Sequence, residues 1–303
     1  MTSHDQLAKD LFRTFFADLL RLAAPEAAPR LRLDDAVFLD KQAFTDWPEG
    51  DRREMDLLAE VPVADLTDHR ILVHVEVEAE ARSGMTDRIW QYYMQLRLRH
   101  GLLVVPLLVN LKGGRPGVHR EVLDEGFEEP ATTHFRYRVF GLSGCSAEEY
   151  LALPEPLAWA LAALMRPGKR SRAEHKIECL RRISMADLSA SRRWLLGNWV
   201  ETYLQLDGRD SAEYEHLRSL AVNREVRAME MTWAERMEVE YTQKGIRQGL
   251  EALHRVVLRL LAQRFGSVPD TVRRKVEAID STEVLSDLAG KVWEVKAIDE
   301  MGL

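Results

Sequence analysis

The hydrophobic pattern of the chain is clearest in two short apolar runs within residues 55–80, and both runs carry acidic residues. In the second run, 71–79, apolar and polar positions alternate, and successive side chains of a β-strand point to opposite sides. Valines occupy one face of this predicted strand, and His74, Glu76 and Glu78 occupy the other. The pattern therefore predicts a strand with two carboxylates on one face, about 6.5 Å apart along the strand.

The first apolar run, 55–63, has Asp56 near its beginning. A short polar segment, 64–70, separates it from the second run, and this spacing favours an antiparallel hairpin. Such a hairpin would bring Asp56 close to Glu76 and Glu78. The sequence therefore predicts three carboxylates gathered at one end of a strand pair.

The rest of the first half alternates between helical and strand-like patterns. Apolar residues at helical spacing predict one helix near the N-terminus, and a second helix ends at a glycine, which is a common helix stop. A continuous apolar run is typical of a strand covered on both faces. The predicted elements are a helix capped by Ser3 and ending before Pro25, a short apolar piece at 36–39, a helix from Met85 to Gly101, a buried strand at 102–110 and a last strand at 134–140.

From Ala147 onward the pattern predicts helices only, over 156–165, 171–184, 187–205, 211–225 and 228–264. The fold class expected from these elements is α/β (α+β), with a mixed sheet flanked by helices and an all-α C-terminal extension. The predicted domains are a core at 1–150, a helical extension at 151–245 and a small helical domain at 246–303.

Composition narrows the class of protein. The 303 residues are 46% hydrophobic and 30% charged, as in an ordinary globular protein, and the formal net charge is −7. Binding to nucleic acid would therefore depend on local basic patches. The two cysteines, Cys145 and Cys179, lack metal-ligand spacing, and the N-terminus lacks a secretory apolar core. We expect a cytoplasmic protein that does not enter a membrane.

Three gathered carboxylates repel one another, and a divalent cation would relieve that repulsion. Hard oxygen ligands suit Mg²⁺ or Mn²⁺, either of which can activate water against a phosphodiester. The alternative is that the acidic pattern is accidental, because the chain contains 49 Asp and Glu residues.

The segment 166–182 is rich in Lys and Arg, and a phosphate backbone could lie along it. The alternative is a solvated helix face. The residues with which this segment would bind nucleic acid are Lys169, Arg170, Arg172 and Lys176. The apolar faces of the C-terminal helices suit a small bundle or a surface for a partner, including a second copy of the chain.

Seven stretches, spread over nearly the whole length, carry a resemblance to one family. They are HDQLAKDLF, FLDKQAFTDWPEGDRREMDLLAEV, ILVHVEVEAEA, MTDRIWQYYMQLRLRHGLLVVPLLVN, HKIECLRRI, WVETYLQL and RLLAQRFGSVPDTVRRKVEAI. In these stretches the chain resembles the Rpn/YhgA-like proteins, which are described as transposases and recombination-promoting nucleases of the PD-(D/E)XK superfamily. The resemblance is to the form that ends in a small helical domain.

The resemblance implies a restriction-endonuclease-like core that cleaves DNA with Mg²⁺ or Mn²⁺. Asp56 and Glu76 match the two metal-binding acids, with the carbonyl of Val77 as a further ligand. Glu78 stands where the superfamily usually has Lys and this family often has Gln. A Glu there would position or deprotonate the attacking water. The departure also favours an alternative, a catalytically degenerate protein that serves as a DNA-binding or oligomerisation module.

The resemblance also implies supporting residues on two helices. His4, Asp5 and Lys9 match the family's opening motif, for which the alternative is capping and surface charge. Arg88 matches a recurring Arg on the helix after the acidic strand, where it would pair with the site carboxylates or with a phosphate. The neighbouring Tyr92 is expected to pack in the core.

Overall fold

A computed structural model of the chain describes most of its residues. The described residues are 3–39, 43–45, 52–54, 56–64, 66, 69–127, 131–230, 253–266, 268–277, 279 and 282–292, with side chains from residue 6 onward outside 43–45, 52–54 and a few C-terminal positions.

The centre of the protein is a six-stranded mixed sheet with the strand order β1-β4-β5-β6-β8-β7. A separate antiparallel pair is formed by β2 and β3. The strands are β1 (Val37–Phe38), β2 (Ala43–Thr45), β3 (Arg52–Glu54), β4 (Leu57–Pro62), β5 (Arg70–Glu78), β6 (Leu103–Asn110), β7 (Gly117–Glu125) and β8 (Thr133–Gly141).

The predicted hairpin is confirmed, because β4 and β5 pair antiparallel, with Leu57 opposite Val75. β6 lies parallel to β5 on one side and parallel to β8 on the other. Five of the nine residues of β5 are buried and three more are half-buried, and most of β6 is buried, as expected for central strands covered on both faces. The mixed sheet predicted from the apolar runs is therefore present.

Two helices replace the single helix predicted at the N-terminus. They are α1 (Ser3–Thr14) and α2 (Phe16–Ala23), separated at Phe15. The backbone hydrogen bonds continue across the break, because the Phe15 N–H donates to Leu11 O at 2.9 Å and the Leu19 N–H donates to Phe15 O at 2.9 Å. Leu7, Leu11, Phe15 and Leu19 of the predicted apolar stripe are buried, so the local distortion leaves the packing face intact.

The helix that follows β5 agrees with its predicted bounds. It is α3 (Met85–His100), and it ends at Gly101, whose φ of 69° lies in the left-handed region that favours glycine. Met85, Ile89 and Leu96 are buried along its inner face. Because α3 connects the parallel strands β5 and β6, it lies across the sheet beside the acidic strand.

Every element assigned after residue 146 within the described residues is helical. These helices are α4 (Ala147–Leu151), α5 (Pro156–Leu161), α6 (Arg172–Ser184), α7 (Ala190–Tyr203) and α8 (Gly208–Ser219), with residues 224–230 also helical. The rings of Phe12 on α1 and Trp199 on α7 meet edge to face, with centroids 5.8 Å apart. Helix α7 therefore packs against the N-terminal helix α1.

The chain divides into two compact units, Met1–Met229 and Glu230–Leu303. The second unit contains helices at 253–265, Asp270–Glu277 and Thr282–Lys291, which enclose a hydrophobic core of their own. The predicted domain boundaries at 150 and 245 stay predictions. Among the described helices, none has the length and apolar character needed to cross a membrane.

Candidate functional site

The acidic residues predicted from the sequence meet where β4 begins and β5 ends. Pairing between these strands reaches Leu57 and Val75, and β5 continues beyond that point to Glu78. Asp56, which directly precedes β4, lies beside the extra length of β5. This place is at the carboxyl end of the parallel strands β5 and β6, where ligands commonly bind in open α/β sheets.

Asp56 is held by contacts from two other elements. Its Oδ2 accepts a hydrogen bond from the main-chain N–H of Val77 at 2.9 Å, and its Oδ1 lies 2.8 Å from Nζ of Lys9. Burial and the nearby charge of Glu76 raise the pKa of Asp56, although Lys9 and Val77 act in the opposite direction. The net increase in pKa reflects first the burial of the carboxyl group and then the nearby charge of Glu76.

Glu76 is completely buried and has three polar neighbours. Its Oε1 lies 2.9 Å from Nε2 of His74 and 3.4 Å from the main-chain nitrogen of Asp56, while its Oε2 lies 3.0 Å from Nη2 of Arg88. An ionised carboxylate can only accept hydrogen bonds, so Nε2 of His74 is the donor in this contact. The main-chain contact places Asp56 directly next to Glu76.

Glu78 shares its face of β5 with Glu76, as the alternating pattern predicted. Its Oε1 lies 3.2 Å from Nη1 of Arg88 and 2.7 Å from Nη2 of Arg82. Arg88 therefore bridges two carboxylates that are two residues apart on one strand, because its two terminal nitrogens bind different partners. Glu78 is thus directed toward two guanidinium groups.

Arg88 comes from α3, as the resemblance implied. Burial alone would lower its pKa, but the charges of Glu76 and Glu78 and a contact with Tyr92 raise the pKa above its ordinary value. The guanidinium carbon lies 5.5 Å from the centre of the Tyr92 ring, and the His74 ring meets the same ring edge to face at 5.3 Å. Tyr92 is buried, as expected, and it contacts His74 and Arg88, two of the three polar neighbours of Glu76.

Lys9 reaches the site from α1, and its side chain is only 11% exposed. Asp5 lies one turn earlier on the same helix, but its side chain and that of His4 are outside the described part. The contact with Asp56 places Lys9 in the acidic cluster, where the family resemblance implied a supporting residue.

The acidic pair fits a divalent cation better than the predicted trio does. Mg²⁺ is commonly held by one or two carboxylates and keeps several waters, and Asp56 and Glu76 are neighbouring carboxylates that contact Lys9 and Arg88 respectively. Glu78 is instead directed toward Arg82 and Arg88. Within the described residues, no group of three or more His, Cys, Asp or Glu side chains is arranged to hold a metal ion.

The predicted nucleic-acid-binding residues of the basic segment differ in their surroundings. Lys176 is 6% exposed, and its Nζ lies 2.7 Å from Glu201. Arg172 donates to the Gln205 carbonyl at 2.8 Å. Lys169 is exposed and Arg170 is half-buried. Two of the four predicted cations are therefore engaged inside the helical region.

Sequence reasoning did not identify Arg82 as a site residue. It follows Glu78 by four positions, but the chain between them is not helical, so helical spacing could not be used to pair them.

In comparisons with known proteins, no family model, curated protein or solved structure gives a match to the chain.

Proposed function

We propose that the protein is a DNA endonuclease that hydrolyses phosphodiester bonds with Mg²⁺ or Mn²⁺ on a restriction-endonuclease-like core. The observation that carries the proposal is the contact of the main-chain N–H of Asp56 with the Glu76 carboxylate, which makes the two acidic residues neighbours at the carboxyl end of the central strands, with Lys9 beside Asp56. Carboxylates can hold a divalent cation, and an ammonium group can stabilise charge on a phosphate. The resemblance to Rpn/YhgA-like proteins supports the same chemistry and a link to recombination or mobile elements.

Asp56 and Glu76 would hold the cation, with the carbonyl of Val77 as a further ligand. A bound Mg²⁺ supplies a Lewis acid that activates water and neutralises charge at the phosphate. Lys9 would orient the phosphate from the side of Asp56. We propose that Glu78 holds Arg88 in place, because Oε1 of Glu78 contacts the guanidinium groups of Arg82 and Arg88.

Plasmid nicking tests this proposal. The purified protein should nick supercoiled DNA with Mg²⁺ or Mn²⁺ and should be inactive with EDTA. Asp56→Asn and Glu76→Gln should each lower the rate by at least about 100-fold, because each removes a ligand charge. Glu60→Gln is the matched control, since Glu60 lies on β4 and pairs with Arg70 at 3.0 Å, away from the acidic cluster. Equal nicking by wild type and Asp56→Asn would refute the assignment.

A second candidate function is a catalytically degenerate protein that keeps the fold and binds DNA without cleaving it. The ion pairs of Glu78 with Arg82 and Arg88 favour this candidate, because the two arginines neutralise Glu78 where a metal ion would otherwise do so. Calorimetry with Mn²⁺ separates the two candidates. The nuclease should bind Mn²⁺ in a manner that Glu76→Gln abolishes, whereas the degenerate protein should show no binding that depends on Glu76.

We also infer a cytoplasmic location, because both cysteines, Cys145 and Cys179, are free and buried, as suits a reducing compartment. Association of two copies through the C-terminal helices stays a prediction, and sedimentation of the full chain would test it.

A further inference from the structure

The loop after β6, residues 111–116, lies at the same carboxyl end of the sheet as the acidic cluster. Its main chain is bonded to the segment that follows the acidic strand. The Leu111 N–H donates to the carbonyl of Glu78 at 2.9 Å, and the Ala81 N–H donates to the carbonyl of Lys112 at 2.9 Å. The loop is therefore fixed directly beside Glu78.

Glycines allow this loop to approach its neighbours closely. Gly113 and Gly114 have φ values of 68° and 72°, in the region that favours glycine. A Cβ added to Gly114 would lie 3.2 Å from the Cβ of Ala81, and one added to Gly141 at the end of β8 would overlap the carbonyl oxygen of Arg115. The loop is thus held between the ends of β5 and β8.

Two cations of the loop are available to an outside ligand. Lys112 and Arg115 are both exposed, and within the described part of the chain neither side chain has a hydrogen bond or ion pair. By contrast, Lys9, Arg82 and Arg88 each contact a carboxylate of the cluster. The loop therefore places two positive charges beside the site, and the carboxylates of the site do not neutralise them.

We propose that loop 111–116 is the surface that binds the phosphate backbone of the DNA substrate, with Lys112 and Arg115 each contacting a phosphate. A chain with a net charge of −7 needs local cations to attract a polyanion. Cations that are exposed and unneutralised can release counterions from DNA, which favours binding. This inference rests on the proposed function, and it deepens it by naming where the substrate lies.

Fluorescence anisotropy with a short labelled DNA duplex tests the loop, with EDTA present so that binding is measured without cleavage. Lys112→Ala/Arg115→Ala should weaken binding about tenfold and make the negative slope of log K against log salt shallower by about two, because two phosphate contacts are lost. Lys112→Glu/Arg115→Glu should weaken binding further. Circular dichroism of each variant should match that of the wild type, since the replaced side chains are exposed.

The matched control is Arg97→Ala/Arg99→Ala, which removes two exposed positive charges from the last turn of α3. It should bind within about twofold of wild type, since α3 ends just before β6 begins, at the opposite end of the sheet from the loop. The inference is overturned if the loop variant binds as wild type does, if the control loses as much affinity, or if the wild type does not bind the duplex. Loop-dependent binding without nicking would instead refute the proposed hydrolysis and retain the binding surface.

Discussion

Asp56 combines two opposing influences within one side chain. Burial and the charge of Glu76 disfavour its ionised form, while Lys9 and the Val77 N–H favour it, and the net result is a raised pKa. A carboxyl group arranged in this way makes the folded protein bind a proton more tightly than the unfolded chain does. Opposing influences on the pKa of one group are common at functional sites.

The raised pKa predicts how the stability contributed by Asp56 depends on pH. That contribution should be fully present below the ordinary pKa of Asp, and it should be lost as the pH rises through the raised value. The free energy of unfolding of wild type relative to Asp56→Asn should therefore increase as the pH falls into the acid range. Urea unfolding at a series of pH values measures this difference.

Glu178 provides a control of opposite sign. Burial would raise its pKa, but hydrogen bonds from Arg181 and Arg182 lower the pKa overall. Its contribution should be present above the ordinary pKa of Glu and should be lost as the pH falls through the lowered value, so Glu178→Gln should show the reverse trend. Parallel pH trends for the two variants would contradict the opposite shifts.

At the scale of elements, Arg88 is the polar link between α3 and β5. It binds Glu76, which is fully buried, and Glu78, which Arg82 also binds. A buried carboxylate that loses its cationic partner is strongly destabilising, whereas an exposed ion pair contributes little. The two arginines should therefore differ in their effect on stability although both contact Glu78.

Arg88→Met should lower the free energy of unfolding by about 3–5 kcal/mol, because Glu76 remains buried without its guanidinium partner. Arg82→Met should cost about 0–1 kcal/mol, since the side chain of Arg82 is 56% exposed. Urea denaturation at neutral pH measures both. Comparable losses for the two variants would show that α3 is not tied to β5 through Glu76.

The end of α3 depends on the backbone of Gly101. Its φ is 69°, and an added Cβ would meet nothing within 4 Å, so substitution introduces backbone strain without a clash. Gly101→Ala should cost about 1–2 kcal/mol, and Gly101→Asn should cost less because Asn tolerates this conformation better. Thermal unfolding of the two variants checks the order. Equal stability of Gly101→Ala and wild type would show that the helix end adjusts freely.

The sequence predicted the central elements but missed β7. Helix α3 and strand β6 have long, regular apolar patterns, and these patterns were sufficient to place them. In β7, Gly117–Glu125, only His119 is buried, because an edge strand is solvated along most of its length. An edge strand of this kind lacks the alternation of apolar and polar residues from which a strand can be predicted.

The site was predicted only in part. Alternation along β5 correctly placed Glu76 and Glu78 on one face, and the hairpin placed Asp56 beside them. The roles of the cations could not be predicted from spacing, because the pairing of Arg82 with Glu78 depends on the path of a non-helical segment. The same limit applied to Lys176, whose partner Glu201 lies on another helix.

At the scale of the whole molecule, the two units have separate hydrophobic cores. In the first unit, Leu96 is fully buried between α3 and the sheet. In the second, Leu261 is fully buried in a cluster with Val257, Val276 and Leu285. Each unit therefore buries its own apolar side chains, which is the condition for separate unfolding.

We expect the two units to unfold independently. Leu261→Ala and Leu96→Ala should each cost about 2–5 kcal/mol, because each leaves a cavity in a fully buried position. Amide hydrogen exchange followed by mass spectrometry shows which peptides lose stability in each variant. Leu261→Ala should accelerate exchange within 253–292 and leave the central sheet protected, and Leu96→Ala should do the opposite. If either substitution accelerates exchange in both units equally, the chain unfolds as one cooperative body, and the second core cannot be treated as a domain.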